Sequence, residues 1–216
     1  MKYRPILFNN DMVKAILQGR KTQTRRIVKA KGWMVNDIPK WKEKDDPEYW
    51  FTVSNDKQAT VISIRPPCDR GDILWVREAW CNLPVSPGGH TRLMRGRYYY
   101  KADTLDIRPD GWKRGWKPSI HMPKEAARLF LRVTDVRAER LQEITKEAAL
   151  AEGADEVESW GGRGDFFKLA DYTISNYAKI WDKTVPKADL PRYGWEANPW
   201  VWVIEFERIE KPEGWI

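Results

Sequence analysis

The sequence predicts an α+β fold: a small, mostly antiparallel β-barrel with short helices and helical or loop insertions. Three observations predict it. Residues 198–209, NPWVWVIEFERI, alternate with the two-residue period of a strand. Residues 128–141, RLFLRVTDVRAERL, repeat that character over a second long run. Between them lie short amphipathic stretches and Gly- and Pro-rich loops, without internal repeats. Several short strands with a few short helices suit such a barrel.

Each element follows in order. Residues 3–8 read as a short strand. Asn9 or Asn10 caps a helix running through residue 18, with Met12, Val13, Ile16 and Leu17 on one face. Gly19 ends that helix in a left-handed conformation. Residues 32–65 are polar and rich in Trp, Lys and Asp, an insertion with a hairpin near residues 49–64. GDILWVREAW, residues 71–80, is a turn and a buried strand. Residues 83–97 form a loop, residues 97–103 a strand, and residues 104–122 a second loop holding GWKRGWKPS. Residues 123–127 make a short helical turn. In the strand over 128–141, Leu129, Leu131 and Val133 share a face before the pattern slips, the mark of a bulge. A short helix over 141–152 takes Thr145 as its cap.

The glycine-rich loop at residues 159–164 does not follow a phosphate-loop pattern. Residues 165–183 form the longest helix, whose stripe of Phe166, Leu169, Tyr172, Tyr177, Ile180 and Trp181 reads as core. In the last strand Trp200, Trp202, Ile204 and Phe206 face one way, and Val201, Val203, Glu205 and Glu207 the other. The length suits a single domain over residues 1–216, with insertions near 32–65, 82–125 and 155–197.

Composition narrows the function. A hydrophobic content of 42% supplies a core and excludes bulk disorder. A net charge of +7 favours a polyanionic or nucleotide partner, RNA before DNA. Trp33, Trp41, Trp112, Trp116 and Trp160 sit beside cations, the pairing that stacks bases while holding phosphates. Arg and Lys stems covering surface rings give the same pattern. Cys68, Cys81, His90 and His121 fit no common zinc spacing. Reduced thiols, a cytoplasmic location, no metal and no cofactor are expected. No signal peptide or long apolar run points to a membrane.

The candidate site begins at GRKTQTRR, residues 19–26. Lys21 and Thr24 are three apart, close enough for their heads to meet. A threonine hydroxyl needs a base before it attacks a carbonyl. A lysine becomes that base when its pKa falls, and Arg20, Arg25, Arg26 and burial all push it down. Arg26 can then steady an oxyanion or hold a phosphate. The same residues also serve plain phosphate binding, or a solvated turn beside a helix C-terminus. Glu78 follows a strand and can face the barrel interior. Glu152 ends its helix where the dipole disfavours a carboxylate, which hints at a role. Trp112 and Trp116 are the candidate stacking rings.

The blocks GRKTQTRR, GDILWVREAW, FLRVTDVRAERLQEITKEAALAEG and WVWVIEFERI, in that order, resemble the ASCH domain of the PUA-like superfamily. They cover somewhat under half of the chain, and the likeness is strongest to the larger, Trp-rich ASCH proteins of phages and prophages. The resemblance implies a PUA-like barrel. It also implies, from the small hydrolases of that family, removal of an acyl group from N4-acylcytidine. Lys21 and Thr24 match the lysine base and threonine nucleophile of those enzymes, and Glu152 matches their proton-transferring glutamate. Arg25 replaces an apolar residue before the matching Arg26, and the chain is about twice their size. The family's RNA binders and proposed nucleases leave two other readings open: a non-catalytic RNA or modified-DNA binding module, and a ribonuclease.

Overall fold

The computed structural model describes residues 1–37, 49–82, 98–103, 115–155 and 168–215. Trp41, His90, Trp112, Trp160, Phe166 and the glycine-rich loop at 159–164 lie outside the described residues, as do the loop expected at 83–97 and residues 104–114 of the second expected loop. The strands in chain order are β1 Tyr3–Leu7, β2 Gln23–Ile27, β3 Met34–Asp37, β4 Trp50–Ser54 and β5 Ala59–Ser63. They continue with β6 Ile73–Arg77, β7 Trp80–Asn82, β8 Tyr98–Tyr100, β9 Phe130–Arg140 and β10 Trp200–Ile209. The helices are α1 Asn10–Leu17, α2 Lys146–Ala151, α3 Lys168–Thr184 and α4 Leu190–Tyr193. The fold is α+β with mostly antiparallel pairing, and β1 with β6 is its parallel pair. Among the described residues no sheet closes into a barrel, because β1 and β2 each have a strand on one side only.

The chain divides into two compact units. Unit 1 comprises Met1–Arg20, Gly71–Arg132 and Glu207–Ile216; unit 2 comprises Lys21–Arg70 and Val133–Phe206.

In unit 1, β1 pairs with β6 from Tyr3 against Ile73 to Leu7 against Arg77. The start of β9 runs antiparallel to β6, Phe130 facing Trp75. Helix α1 starts where the Asn9 side chain accepts the Met12 amide at 2.9 Å, the N-cap that the sequence predicts. It buries Val13, Ala15 and Ile16 and ends at Gly19, whose φ of +73° would strain any other residue. Trp80, Met122, Phe130 and Trp215 centre the core of this unit, with Ile73, Ala126 and Ala127 packed among them.

In unit 2, β10 lies between β9 and β2. Its alternation buries both faces. Val201 and Val203 pack with Leu141, Tyr177 and Trp181, so the aromatic stripe of α3 is core at those rings, whereas Tyr172, expected with them, is 57% exposed. On the other face Trp200 and Trp202 meet Phe51 of β4 edge-on. The expected hairpin is β4 with β5, joined by a third strand, β3, that the polar sequence concealed.

Candidate functional site

Short-range chemistry builds the site in unit 2. Helix α2 begins where Thr145 Oγ1 accepts the Ala148 amide at 3.2 Å. It ends with Glu152 as C-cap, followed by Gly153 at φ +89°. Two bonds fasten the lead-in of β2 to that end: Thr22 N donates to Ala151 O at 2.9 Å, and Gln23 Nε2 to Ala148 O at 2.7 Å. Antiparallel pairing with β10 then sets Thr24 opposite Ile204 and Arg25 opposite Val203. Residues 23–27 are therefore extended, and no helical turn joins Lys21 to Thr24.

Lys21 Nζ lies 2.8 Å from each of three oxygens: Glu152 Oε2, the Glu152 carbonyl and the Gln23 carbonyl. These match the three donors of an ammonium. They also explain how Glu152 tolerates a helix C-terminus, since the cation offsets both the carboxylate and the dipole. Arg25 Nη1 reaches Glu152 Oε1 at 3.2 Å, and Arg25 Nη2 is bonded to Glu139. Lys21 is 2% exposed and Glu152 8%. Burial pushes the Lys21 pKa below its ordinary value, and the Arg26 and Arg25 charges add to this while Glu152 opposes it.

Thr24 is 0% exposed. Its hydroxyl oxygen accepts from Arg26 Nη1 at 2.8 Å, and the same nitrogen donates to the Arg25 carbonyl at 2.9 Å. Burial lowers the Arg26 pKa, against the attraction of Glu152, Tyr177 and Cys68. Tyr177 of α3, buried in the same neighbourhood, has its phenol held well above its ordinary pKa by burial and by the Glu152 charge. Arg25 Nε is a buried donor without an acceptor among the described residues.

The structure thus joins Lys21, Arg25 and Glu152 directly, and Arg26 to Thr24. Arg20, in unit 1, is exposed and donates to the Gln18 side chain. Glu78, also in unit 1, is fully buried and gripped by Arg128 through two bonds of 2.9 Å. Burial raises its pKa, and Arg128 opposes the rise. Trp116 is half-buried. Sequence reasoning missed Gln23, Glu139 and Tyr177. In the sequence Tyr177 reads only as core, and Glu139 sits in a charged strand end with no motif around it.

Chemically, Glu152 meets Lys21 and Arg25, Glu139 meets Arg25 and Arg137, and Arg137 in turn meets Asp135 and Glu205, so that with Arg26 four cations stand with four carboxylates. The network is balanced in formal charge, so a developing oxyanion there would be met by individual guanidinium donors rather than by a net positive charge. The 2.8 Å contact between Lys21 and Glu152 is also short enough for a proton to pass between them. Among the described residues no His, Cys, Asp and Glu group has the make-up of a metal site. Nor is any helix there long and apolar enough to cross a membrane. No family model, no curated protein and no solved structure matches the chain.

Proposed function

We propose that this chain is a PUA-like protein of the ASCH type. It recognises a nucleobase or nucleoside and hydrolyses an exocyclic amide of a modified cytidine. One observation supports this above all: Lys21 and Glu152, 131 residues apart, share a buried hydrogen bond of 2.8 Å. These are the base and proton-transfer residues that the resemblance implies, and Thr24 lies three residues from Lys21.

The chemistry runs as follows. The resting pair is ammonium and carboxylate. Loss of one proton to solvent, eased by the lowered Lys21 pKa, leaves a free amine beside the carboxylate. The amine takes the Thr24 proton as Oγ1 attacks the acyl carbon. Arg26 gives up its bond to Oγ1 and turns its guanidinium to the acyl carbonyl oxygen, where the negative charge develops. Lys21 passes the threonine proton through Glu152 to the departing exocyclic amine of the cytosine. Water then hydrolyses the acyl-threonine, releasing a carboxylate and restoring the hydroxyl.

A second reading has its own support. Thr24 is fully buried and its oxygen is taken by Arg26, which suits a non-catalytic RNA or modified-DNA binding module. Chromatography of N4-acetylcytidine incubated with the protein separates the two. The hydrolase releases cytidine, and Lys21→Ala stops it. Binding to RNA without turnover supports the module, and cutting of labelled RNA supports a ribonuclease.

A further inference from the structure

Charge is divided unevenly along the chain. In the sequence ranges of unit 1, eighteen Lys and Arg against ten Asp and Glu give a formal charge of +8. In those of unit 2, twenty against twenty-one leave −1. The whole basic excess belongs to the unit that contains neither Lys21, Thr24 nor Glu152. Within unit 1 several acids are already matched by arginines: Asp72 by Arg4, Glu78 and Asp103 by Arg128, and Glu207 by Arg132. Among the described residues of unit 1, twelve Lys and Arg stand against eight Asp and Glu.

One sheet face of unit 1 combines those cations with aromatic and apolar side chains. Strand β1 ends its sheet, and Tyr3, Pro5 and Leu7 share a face with their register partners Ile73, Trp75 and Arg77 of β6. Tyr3 is 41% exposed and Leu7 44%. Tyr3 meets the Trp215 ring at 5.2 Å, and Trp215 meets Trp75 at 5.9 Å. Lys124 Nζ stands 4.3 Å from the Trp215 ring, and the Arg77 guanidinium 5.6 Å from that of Trp75. Arg77 also binds the carbonyl of Ile120, whose own side chain is 56% exposed. The strip therefore carries a ring at one end, an apolar pair at the other and cations along it. Pro5 keeps the open strand edge from recruiting another strand.

We infer that this strip on unit 1 docks an unpaired RNA strand, its bases against Tyr3 and Trp75 and its phosphates on Arg77 and Lys124. Stacking rings beside cations suit an unpaired strand better than a duplex, whose bases are hidden from such rings. An acidic protein would answer the charge and leave the rings without a use. This inference does not rest on the proposed hydrolysis, nor the hydrolysis on it.

The test is fluorescence anisotropy of a short labelled single-stranded RNA with the full chain, across a salt series. Binding should weaken steeply with salt. Tyr3→Ala and Lys124→Glu, both changes at side chains outside the core, should each weaken it about tenfold or more. Thermal melting checks that both variants remain folded, and their action on N4-acetylcytidine should match the parent's. Unchanged RNA affinity in both variants would overturn the inference. So would equal affinity for the same sequence as a duplex, or for polyglutamate.

Discussion

The Lys21 ammonium binds Glu152 twice, at the carboxylate and at the main-chain carbonyl, each at 2.8 Å. Arg25 holds the other carboxylate oxygen. One acid thus serves two buried cations, and its loss takes that carboxylate from both, leaving Arg25 with Glu139. Glu152→Ala should cost about 3–5 kcal/mol, the penalty for breaking a buried pair from one side. Replacing both partners, as Lys21→Met with Glu152→Leu, should cost less than the sum of the single changes. Urea unfolding of the four proteins measures this directly.

Thr24 separates chemistry from stability. Thr24→Val keeps the shape and removes the oxygen that Arg26 binds, a loss of about 2 kcal/mol for a bond from a charged donor, with Arg26 keeping the Arg25 carbonyl. Its melting temperature should fall by only a few degrees, while amide hydrolysis should vanish. Thr24→Ser should retain measurable turnover. Calorimetry beside the chromatographic assay checks both halves.

The lowered pKa of Lys21 sets a pH profile. Hydrolysis that needs its free amine should rise with pH and level off below the ordinary lysine value of 10.5. Arg26→Gln removes a charge that lowers this pKa, so the rising limb should move to higher pH in whatever activity remains. The sign for stability is the same. Between the folded and unfolded pKa values the unfolded chain holds the extra proton, so this group makes stability rise with pH. A hydrolysis profile flat from neutral pH to 10 would remove Lys21 from the base role.

Tyr100 acts in the opposite direction. Burial, offset in part by Arg128, pushes its phenol to about 12. A raised acid contributes stability that is complete below the unfolded value near 10 and is lost as pH climbs through the folded value. Stability should therefore fall across that alkaline window, and Tyr100→Phe should flatten the fall. The variant should be slightly weaker at neutral pH, since the hydroxyl donates to Ala126 O at 2.6 Å. Denaturant titrations at several alkaline pH values test this.

Helix α2 positions Glu152, and Thr145 caps α2. Thr145→Ala should cost about 1 kcal/mol. It should also lower turnover, because the far end of a six-residue helix shifts easily. Thr145→Ser should restore both readings.

Much of this was legible in the residues. The Asn9 cap, the Gly19 stop, the Thr145 cap and the alternation of β10 are local signals, written within a few neighbouring positions. Strand β3 and helix α4 were not legible. Their sequences, MVND and LPRY, are short and carry little periodicity, and packing within unit 2 decides them. At the site, Lys21 and Glu152 were each identifiable. The Arg25 link to Glu152 and Glu139 was not, because it depends on how β2 runs beside α2. The barrel expected from the count of short strands is not closed among the described residues, since strand number does not fix which strands pair.

The most direct measurement is mass spectrometry of the protein quenched during turnover of N4-acetylcytidine. The account predicts one acetyl group on the peptide that contains Thr24, absent from the Thr24→Val variant. Cytidine released at the parent's rate by that variant, or no turnover by the parent itself, would contradict it.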